Sequence, residues 1–214
     1  MNNPINSDNK TSRLFGRRRK GDQKEQMRQL MLNAASELFI EQGYNAFSMR
    51  KLAEKIGYAP ATLYLYFTDK DQLLFCVVDD AFTRFRNDLA QAAESVSDPW
   101  ERLGRIGDAY IRFGLTHPAY YQLMFMWRVD YLLQARHGEE APRMEAFQVL
   151  LDAVKYAQNL GAIKSGEAQA YSDLLWATMH GIVALAIQIP AFSEERIAKL
   201  TAQAKEMLYL ALKP

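Results

Sequence analysis

"YAPATLYLYF", Tyr58 to Phe67, decides how this chain is read. Its alternating aromatic and aliphatic side chains match a buried β-strand on propensity. Just upstream, "MRKLAEKIG", Met49 to Gly57, has the pattern of a short amphipathic helix closed by a glycine. A lone strand leaves its backbone donors and acceptors unpaired, and nothing nearby offers it a partner. Pro60 fits the first position of a helix, where a missing amide costs nothing, and fits a central strand poorly. Wound at about 100° per residue from Pro60, Leu63 and Phe67 share one face and Ala61, Thr62, Leu65 and Tyr66 the other, with Tyr64 at the edge. The stretch is therefore expected to be a second short helix across a tight turn, with Leu63 and Phe67 turned inward.

The flanking sequence is helical in the same way. From Met27 the apolar positions Leu30, Met31, Ala34, Ala35, Leu38 and Phe39 form one stripe, closed by Gly43. Ser48 is a suitable N-cap for the helix that carries Met49, Leu52, Ala53 and Ile56 inward. Thr68, with Asp71 three residues on, opens a long helix striped by Leu74, Val78, Ala81, Phe85 and Leu89. Two short helices joined by a glycine turn and braced by a longer first one form a helix-turn-helix, whose second helix fits the major groove of duplex DNA.

Further on, Asp98, Pro99 and Glu101 occupy N-cap, N1 and N3 of a helix through Leu103, Ile106, Tyr110 and Phe113. His117-Pro118 interrupts the chain and "AYYQLMFMW" resumes it, apolar nearly all round. "YLLQARHGEEAPRM" is the expected loop, followed by a helix ending at Gly161, an uncharged helix after Ser165, and a last helix opened by Ser193, Glu194 and Glu195. The fold class is all-α with about nine helices. Three segments are expected: a basic, disordered arm over 1–22, a helix-turn-helix domain over 23–68, and a regulatory, ligand-binding and dimerisation domain over 69–214.

Composition sets outer limits. The chain has 214 residues, 49% of them hydrophobic, as in ordinary globular proteins. Its net charge is +1, but residues 1–20 hold six basic side chains against Asp8 alone, a charge of +5, which leaves −4 for the rest. Such asymmetry marks a basic tail on a near-neutral body. For Arg17, Arg18, Arg19 and Lys20 two readings stay open: a solvated tail, or an arm that follows the DNA backbone or enters the minor groove. A single cysteine, Cys76, excludes an internal disulfide and fits a reducing compartment, and the absence of an apolar run in "MNNPINSDNKTSRLFG" argues against a signal peptide, so the expected location is the cytoplasm. Leu174 to Phe192 carries no Asp, Glu, Lys or Arg over a length approaching a membrane span. Thr178, His180, Gly181, Gln188 and Pro190 within it favour a helix buried in a core or a subunit interface, and no membrane partner is expected.

"LNAASELFIEQGYNAFSMRKLAEKIGYAPATLYLYFTDKDQLL" resembles the DNA-binding domain of the TetR family of transcriptional regulators over about residues 24–75. The shared features are Glu-x-Gly-Tyr at the end of the first helix, "SMRKLAEKIG", Thr-Leu-Tyr-x-Tyr-Phe, and "DK" before Leu-Leu. Trp176, His180 and Gly181, with "HPAYYQLMF", resemble a TetR subgroup whose C-terminal domain carries a Trp-His-Gly signature. The resemblance implies that Ser48, Thr62, Tyr64 and Tyr66 touch DNA and that Lys70 meets a backbone phosphate. It also implies a homodimer formed by the last two helices, here about Ala168 to Ile189 and the helix bearing Ile197, Leu200, Ala204, Leu208 and Ala211. Two half-sites then make a pseudo-palindromic DNA operator the expected partner.

The candidate DNA-facing set is Ser48, Met49, Arg50, Ala59, Pro60, Ala61, Thr62, Tyr64, Leu65, Tyr66 and Lys70. Arg50 suits a base edge or a phosphate. Ala59 departs from the small hydroxyl residue of many relatives and neither caps nor donates, while Leu65 suits contact with a thymine methyl. Few base-reading groups remain, so DNA shape is expected to share in specificity.

Phe113, His117, Tyr121, Phe125, Trp127, Trp176 and His180 have the composition of an apolar pocket with a few orienting polar groups, and form the candidate site for a small hydrophobic effector. For each alone, an ordinary core role competes with that reading. The function expected is a dimeric repressor released by such a ligand, with an activator of the same fold as the alternative. An all-α enzyme based on His117 or His180 lacks a paired nucleophile, a phosphate loop or metal-ligand spacing, so no catalysis, metal or cofactor is expected.

Overall fold

A computed structural model describes the backbone of residues 8–127 and 141–214. The described residues form nine helices and no strand: α1 (Asp8–Ala46), α2 (Met49–Ile56), α3 (Pro60–Tyr64), α4 (Lys70–Glu94), α5 (Pro99–Thr116), α6 (Pro118–Phe125), α7 (Ala141–Asn159), α8 (Ala168–Gln188) and α9 (Glu194–Leu212). They divide into two compact units, Met1–Val77 and Val78–Pro214.

In the first unit α1 begins at Asp8, well before the Met27 start that the apolar stripe suggests. Once a helix is nucleated each added residue costs little, and no proline interrupts residues 8–46. The basic side chains of residues 10–20 lie outside the described residues. The helical path breaks at Gly43, whose φ of 73° and ψ of 164° suit glycine alone, and Phe47 then folds back to stack on Phe39 at 4.0 Å between ring centroids. Phe39, Leu52, Leu63 and Phe67 are among the residues sealed in this core.

The caps follow the sequence with one displacement. Ser48 accepts from the Lys51 amide at 3.2 Å. Asp98 and Ser193 cap α5 and α9 through the amides of Glu101 and Arg196. At α4, however, Asp69 rather than Thr68 takes the amides of Asp71 and Gln72, at 2.9 and 2.8 Å. A carboxylate is the stronger acceptor, and the Thr68 hydroxyl and amide turn instead to the Gln72 side chain.

In the second unit α5 packs on α6, α7 and α8, α7 on α8, and α8 on α9. Gly114 permits the α5–α8 approach: a Cβ there would fall 2.3 Å from Val183 Cγ1. Residues 131–140 of the expected loop lie outside the described residues, and α7 already begins at Ala141. By length and composition α8 can cross a membrane, and only 28% of its most apolar window is buried. Ser172, Leu175, Met179, Ile182 and Val183 are its buried face, and the rest of the helix is half-buried or exposed. Along the α9 stripe Ile197, Leu200, Ala204 and Leu208 are half-buried and Ala211 is exposed. Met207 and Leu210 are 62% and 55% exposed and add further apolar surface.

Candidate functional site

The helix-turn-helix is set by three short-range devices. Ser48 starts α2. Gly57, in the left-handed region at φ 74°, ends it, with the Gly57 and Tyr58 amides returning to the Glu54 and Ala53 carbonyls. Pro60 then opens α3, whose Ala59 start has no side-chain cap. Only Leu63 and Phe67 of this stretch are buried, so the alternation resolves as the helical reading requires.

What remains outside is largely uncharged. Leu65 is 78% and Tyr64 55% exposed. Ala59, Pro60 and Ala61 are exposed as well, and Thr62 and Tyr66 are half-buried, with the Lys24 ammonium 5.9 Å from the Tyr66 ring centre. Met49 is buried and serves the core, not the surface. The Ser48 oxygen is occupied as a cap but its hydroxyl proton remains available to an acceptor. Arg50 pairs with Glu54 at 3.0 Å, both side chains well exposed. An exposed pair of this kind is worth only about 0.3–0.5 kcal/mol, so the guanidinium is readily recruited elsewhere.

Lys70 is held in place. Its ammonium lies 4.0 Å from the Tyr44 ring centre and 3.4 Å from the Tyr44 carbonyl, while the Tyr44 hydroxyl donates to Asp71. Tyr44 thus positions the lysine, a role the sequence does not mark beyond its place after Gly43. Two other lysines are structural: Lys51 donates to Gln42 and the Ala46 carbonyl. Lys55 pairs with Glu37 and Glu41, and the hydrogen bond to Glu37, with the carboxylate charges, raises its pKa against the opposing effect of burial.

The second unit contains a cavity of about 630 Å³. Phe82, Phe85 and Leu89 of α4, Tyr110 of α5, Phe125 of α6, Phe147 and Leu150 of α7, and Trp176 and His180 of α8 contribute to its wall. Three of the seven expected ligand residues, Phe125, Trp176 and His180, line it; Phe113, His117, Tyr121 and Trp127 do not. Phe113 and Tyr121 are sealed behind the wall, His117 joins α5 to α6, and Trp127 is half-buried beyond α6. Sequence reading missed the α4 and α7 walls. Their residues recur at helical spacing, which marks a buried face without saying whether a side chain or a ligand lies opposite.

Four groups at and behind the cavity wall form one hydrogen-bonded chain. Trp176 Nε1 donates to the Tyr110 hydroxyl at 3.0 Å, Tyr110 meets the Tyr121 hydroxyl at 2.9 Å, and Tyr121 meets His180 Nδ1 at 2.7 Å. Burial pushes the Tyr110 hydroxyl up to about 12, partly offset by its two hydrogen bonds, and raises Tyr121 further, helped by Tyr110. Burial lowers the His180 pKa. The described residues contain no cluster suited to a metal ion.

Comparison with known proteins agrees with this architecture. Residues 31–77 match the bacterial regulatory proteins of the tetR family, and residues 103–205 match a tetracyclin repressor-like C-terminal domain. The transcriptional regulator HbdR of Aromatoleum is 30% identical over 79 residues, covering 37% of this chain and 34% of that protein. The transcriptional activator FasR of Mycolicibacterium smegmatis is 29% identical over 115 residues, covering 53% of this chain and 52% of its own. The chain thus spans about a third and about half of the length of these two relatives. A TetR family transcription regulator from Marinobacter aquaeolei shares the fold at TM-score 0.71 and 22% identity, over 90% of this chain and 98% of its own. The two family matches together cover more than half of the residues. The chain belongs to the TetR family of bacterial regulatory proteins.

Proposed function

We propose that this chain is a cytoplasmic, dimeric repressor that binds a pseudo-palindromic operator and is released from it by a small apolar ligand. The cavity of about 630 Å³ carries the ligand part of the reading. Its size falls in the range of about 300–1,000 Å³ usual for small-molecule sites, and its wall is aromatic and aliphatic with few polar groups. Residues 23–68 would read DNA through the surface that bears Ser48, Arg50, Thr62, Tyr64, Leu65, Tyr66 and Lys70, with the basic arm adding backbone charge. Residues 69–214 would hold ligand and partner. α4 carries Lys70 in its first turn and, further along the same helix, Phe82, Phe85 and Leu89 of the cavity wall.

Dimerisation through α8 and α9 is supported by surface left uncovered. Leu174 and Leu185 of α8 are 47% and 40% exposed, at helical spacing with Ala170, Ala177 and Gly181. A Cβ on Gly181 would meet nothing within 4 Å, so packing among the described residues gives no reason for a mid-helix glycine. Close approach of a second α8 does. For a ligand to release DNA it must favour a state of the dimer in which the two recognition helices no longer fit successive grooves.

Selection of bound fragments from genomic DNA, followed by titration with apolar compounds, tests the proposal. Repeated half-sites and loss of DNA binding on ligand addition are expected. A ligand that occupies the cavity and leaves operator affinity unchanged would sink the release mechanism. Transcription that falls when the gene is deleted would make the protein an activator, as FasR is named.

A further inference from the structure

The hydrogen-bond chain behind the cavity has a direction, and that direction says what kind of ligand the cavity takes. An indole N–H only donates, so the Tyr110 oxygen is an acceptor toward Trp176. The single Tyr110 hydroxyl proton then has one partner, Tyr121, and the Tyr121 proton has one partner in turn, His180 Nδ1. Every hydroxyl in the series is satisfied only if Nδ1 accepts, which puts the imidazole proton on Nε2. No buried side-chain nitrogen or oxygen among the described residues lacks a partner. Among the described residues Nε2 has no partner, so it is solvent-accessible, on a residue that lines the cavity.

We propose that the Trp176–Tyr110–Tyr121 series fixes His180 as an Nε2–H donor, making it the polar anchor for an uncharged apolar ligand that carries a carbonyl oxygen. This rests on the cavity being the effector site. The remaining polar wall explains why an uncharged acceptor is preferred to a carboxylate. Among the described lining residues there is no lysine or arginine, and the one charged side chain is Asp173, with Gln169 donating to it at 3.2 Å. Among the described lining residues a carboxylate ligand would lose its hydration without gaining a counter-charge, and it would face Asp173.

Nor does His180 readily become that counter-charge. A proton on Nδ1 would turn the series round: His180 donates to Tyr121, Tyr121 donates to Tyr110, and Tyr110 already accepts from Trp176. The Tyr110 hydroxyl proton is then left without an acceptor on a residue only 3% exposed. An unsatisfied buried hydroxyl opposes protonation of the ring, in the same direction as burial does. Tyr110 and Tyr121 are thus positioning residues that act through His180.

The full-length protein tests this in two ways. Ring ¹⁵N shifts, assigned by difference against His180→Phe, should show His180 Nε2 protonated and Nδ1 bare at pH 7; a proton on Nδ1 would overturn the proposal. Calorimetric titration with benzophenone, diphenylmethane and diphenylacetate then compares a carbonyl, its methylene counterpart and a carboxylate. Benzophenone should bind about tenfold more tightly than diphenylmethane, the worth of one net hydrogen bond, and the ratio should fall to about one in His180→Phe. In Tyr121→Phe the carbonyl preference should shrink while diphenylacetate binding at pH 6 rises, because the ring is released to protonate; loss of packing alone would weaken all three ligands. No binding of benzophenone, equal binding of ketone and hydrocarbon, or diphenylacetate tightest in the wild type would each overturn the assignment. Benzophenone bound with this His180 dependence but without effect on operator affinity would instead count against ligand release and leave the anchor standing.

Discussion

The two units of the chain treat their functional side chains in opposite ways. In the first, Tyr64 and Leu65 stand on an exposed surface, held there by devices close by in the sequence: the Ser48 cap, the left-handed Gly57 and the N1 proline Pro60. In the second, the polar groups are inside, and hydrogen bonds join residues 11, 59 and 66 positions apart. A surface that meets a large rigid polymer needs backbone geometry. A cavity that meets a small molecule needs donors aimed inward and already satisfied on their other side.

The contrast is sharpest at two glycines. Gly43 is required by its own backbone, since φ 73° and ψ 164° exclude a side chain although a Cβ would meet nothing within 4 Å. Gly114 is required by a neighbour, Val183, 69 positions along the chain. Gly43→Ala and Gly114→Ala are each expected to lower stability by about 1–3 kcal/mol, by strain in the first case and overpacking in the second. A double-mutant cycle in denaturant separates the causes: Val183→Ala should offset part of the Gly114→Ala loss and none of the Gly43→Ala loss. Strict additivity of Gly114→Ala with Val183→Ala would mean that α5 and α8 do not meet at that point.

The same distinction between local and distant causes governs what the sequence disclosed. Ser48, Gly57 and Pro60 are local signals, and the helix-turn-helix with inward Leu63 and Phe67 follows from them directly. Phe113 and Tyr121 were expected beside the ligand because they are aromatic, yet they sit behind Tyr110, Phe125 and His180, which are aromatic too. Depth within a bundle depends on which helices pack against which face, and no periodicity encodes that. Lys70 was legible as a lysine at a helix start, whereas its seat on the Tyr44 ring joins residues 26 apart and was not.

On the DNA-facing surface, charge and shape should be separable. Lys70→Ala is expected to weaken binding to every DNA sequence alike, by roughly three- to tenfold, and to reduce the slope of log affinity against log salt by about one. Leu65→Ala should leave the slope unchanged and relax selectivity at one base-pair position, as loss of a methyl contact would. Binding isotherms at several salt concentrations on operator and scrambled DNA distinguish these outcomes. A Lys70→Ala protein with an unaltered salt slope would show that the lysine only braces Tyr44 and Asp71.

The smallest expected effect separates the units by pH. Lys55, in the first unit, has its pKa raised chiefly by Glu37. Its contribution is therefore complete below about pH 10.5 and fades only as pH rises through the folded value, so it is silent in the acid range. His180, in the second, has a lowered pKa, so between the folded value and about 6.5 the unfolded chain binds more protons than the native one. Stability should consequently be undiminished above pH 7 and fall as pH drops below about 6.5. The slope should stay under the limit of about 1.4 kcal/mol per pH unit that one proton sets, because the ring is partly accessible. Subtracting the pH profile of His180→Phe from that of the wild type isolates this contribution, and Tyr121→Phe should flatten it by freeing the ring to protonate. A difference profile level from pH 7.5 to 5 would mean that His180 takes up a proton as easily in the folded chain as in the unfolded one, and that the series from Trp176 does not constrain it.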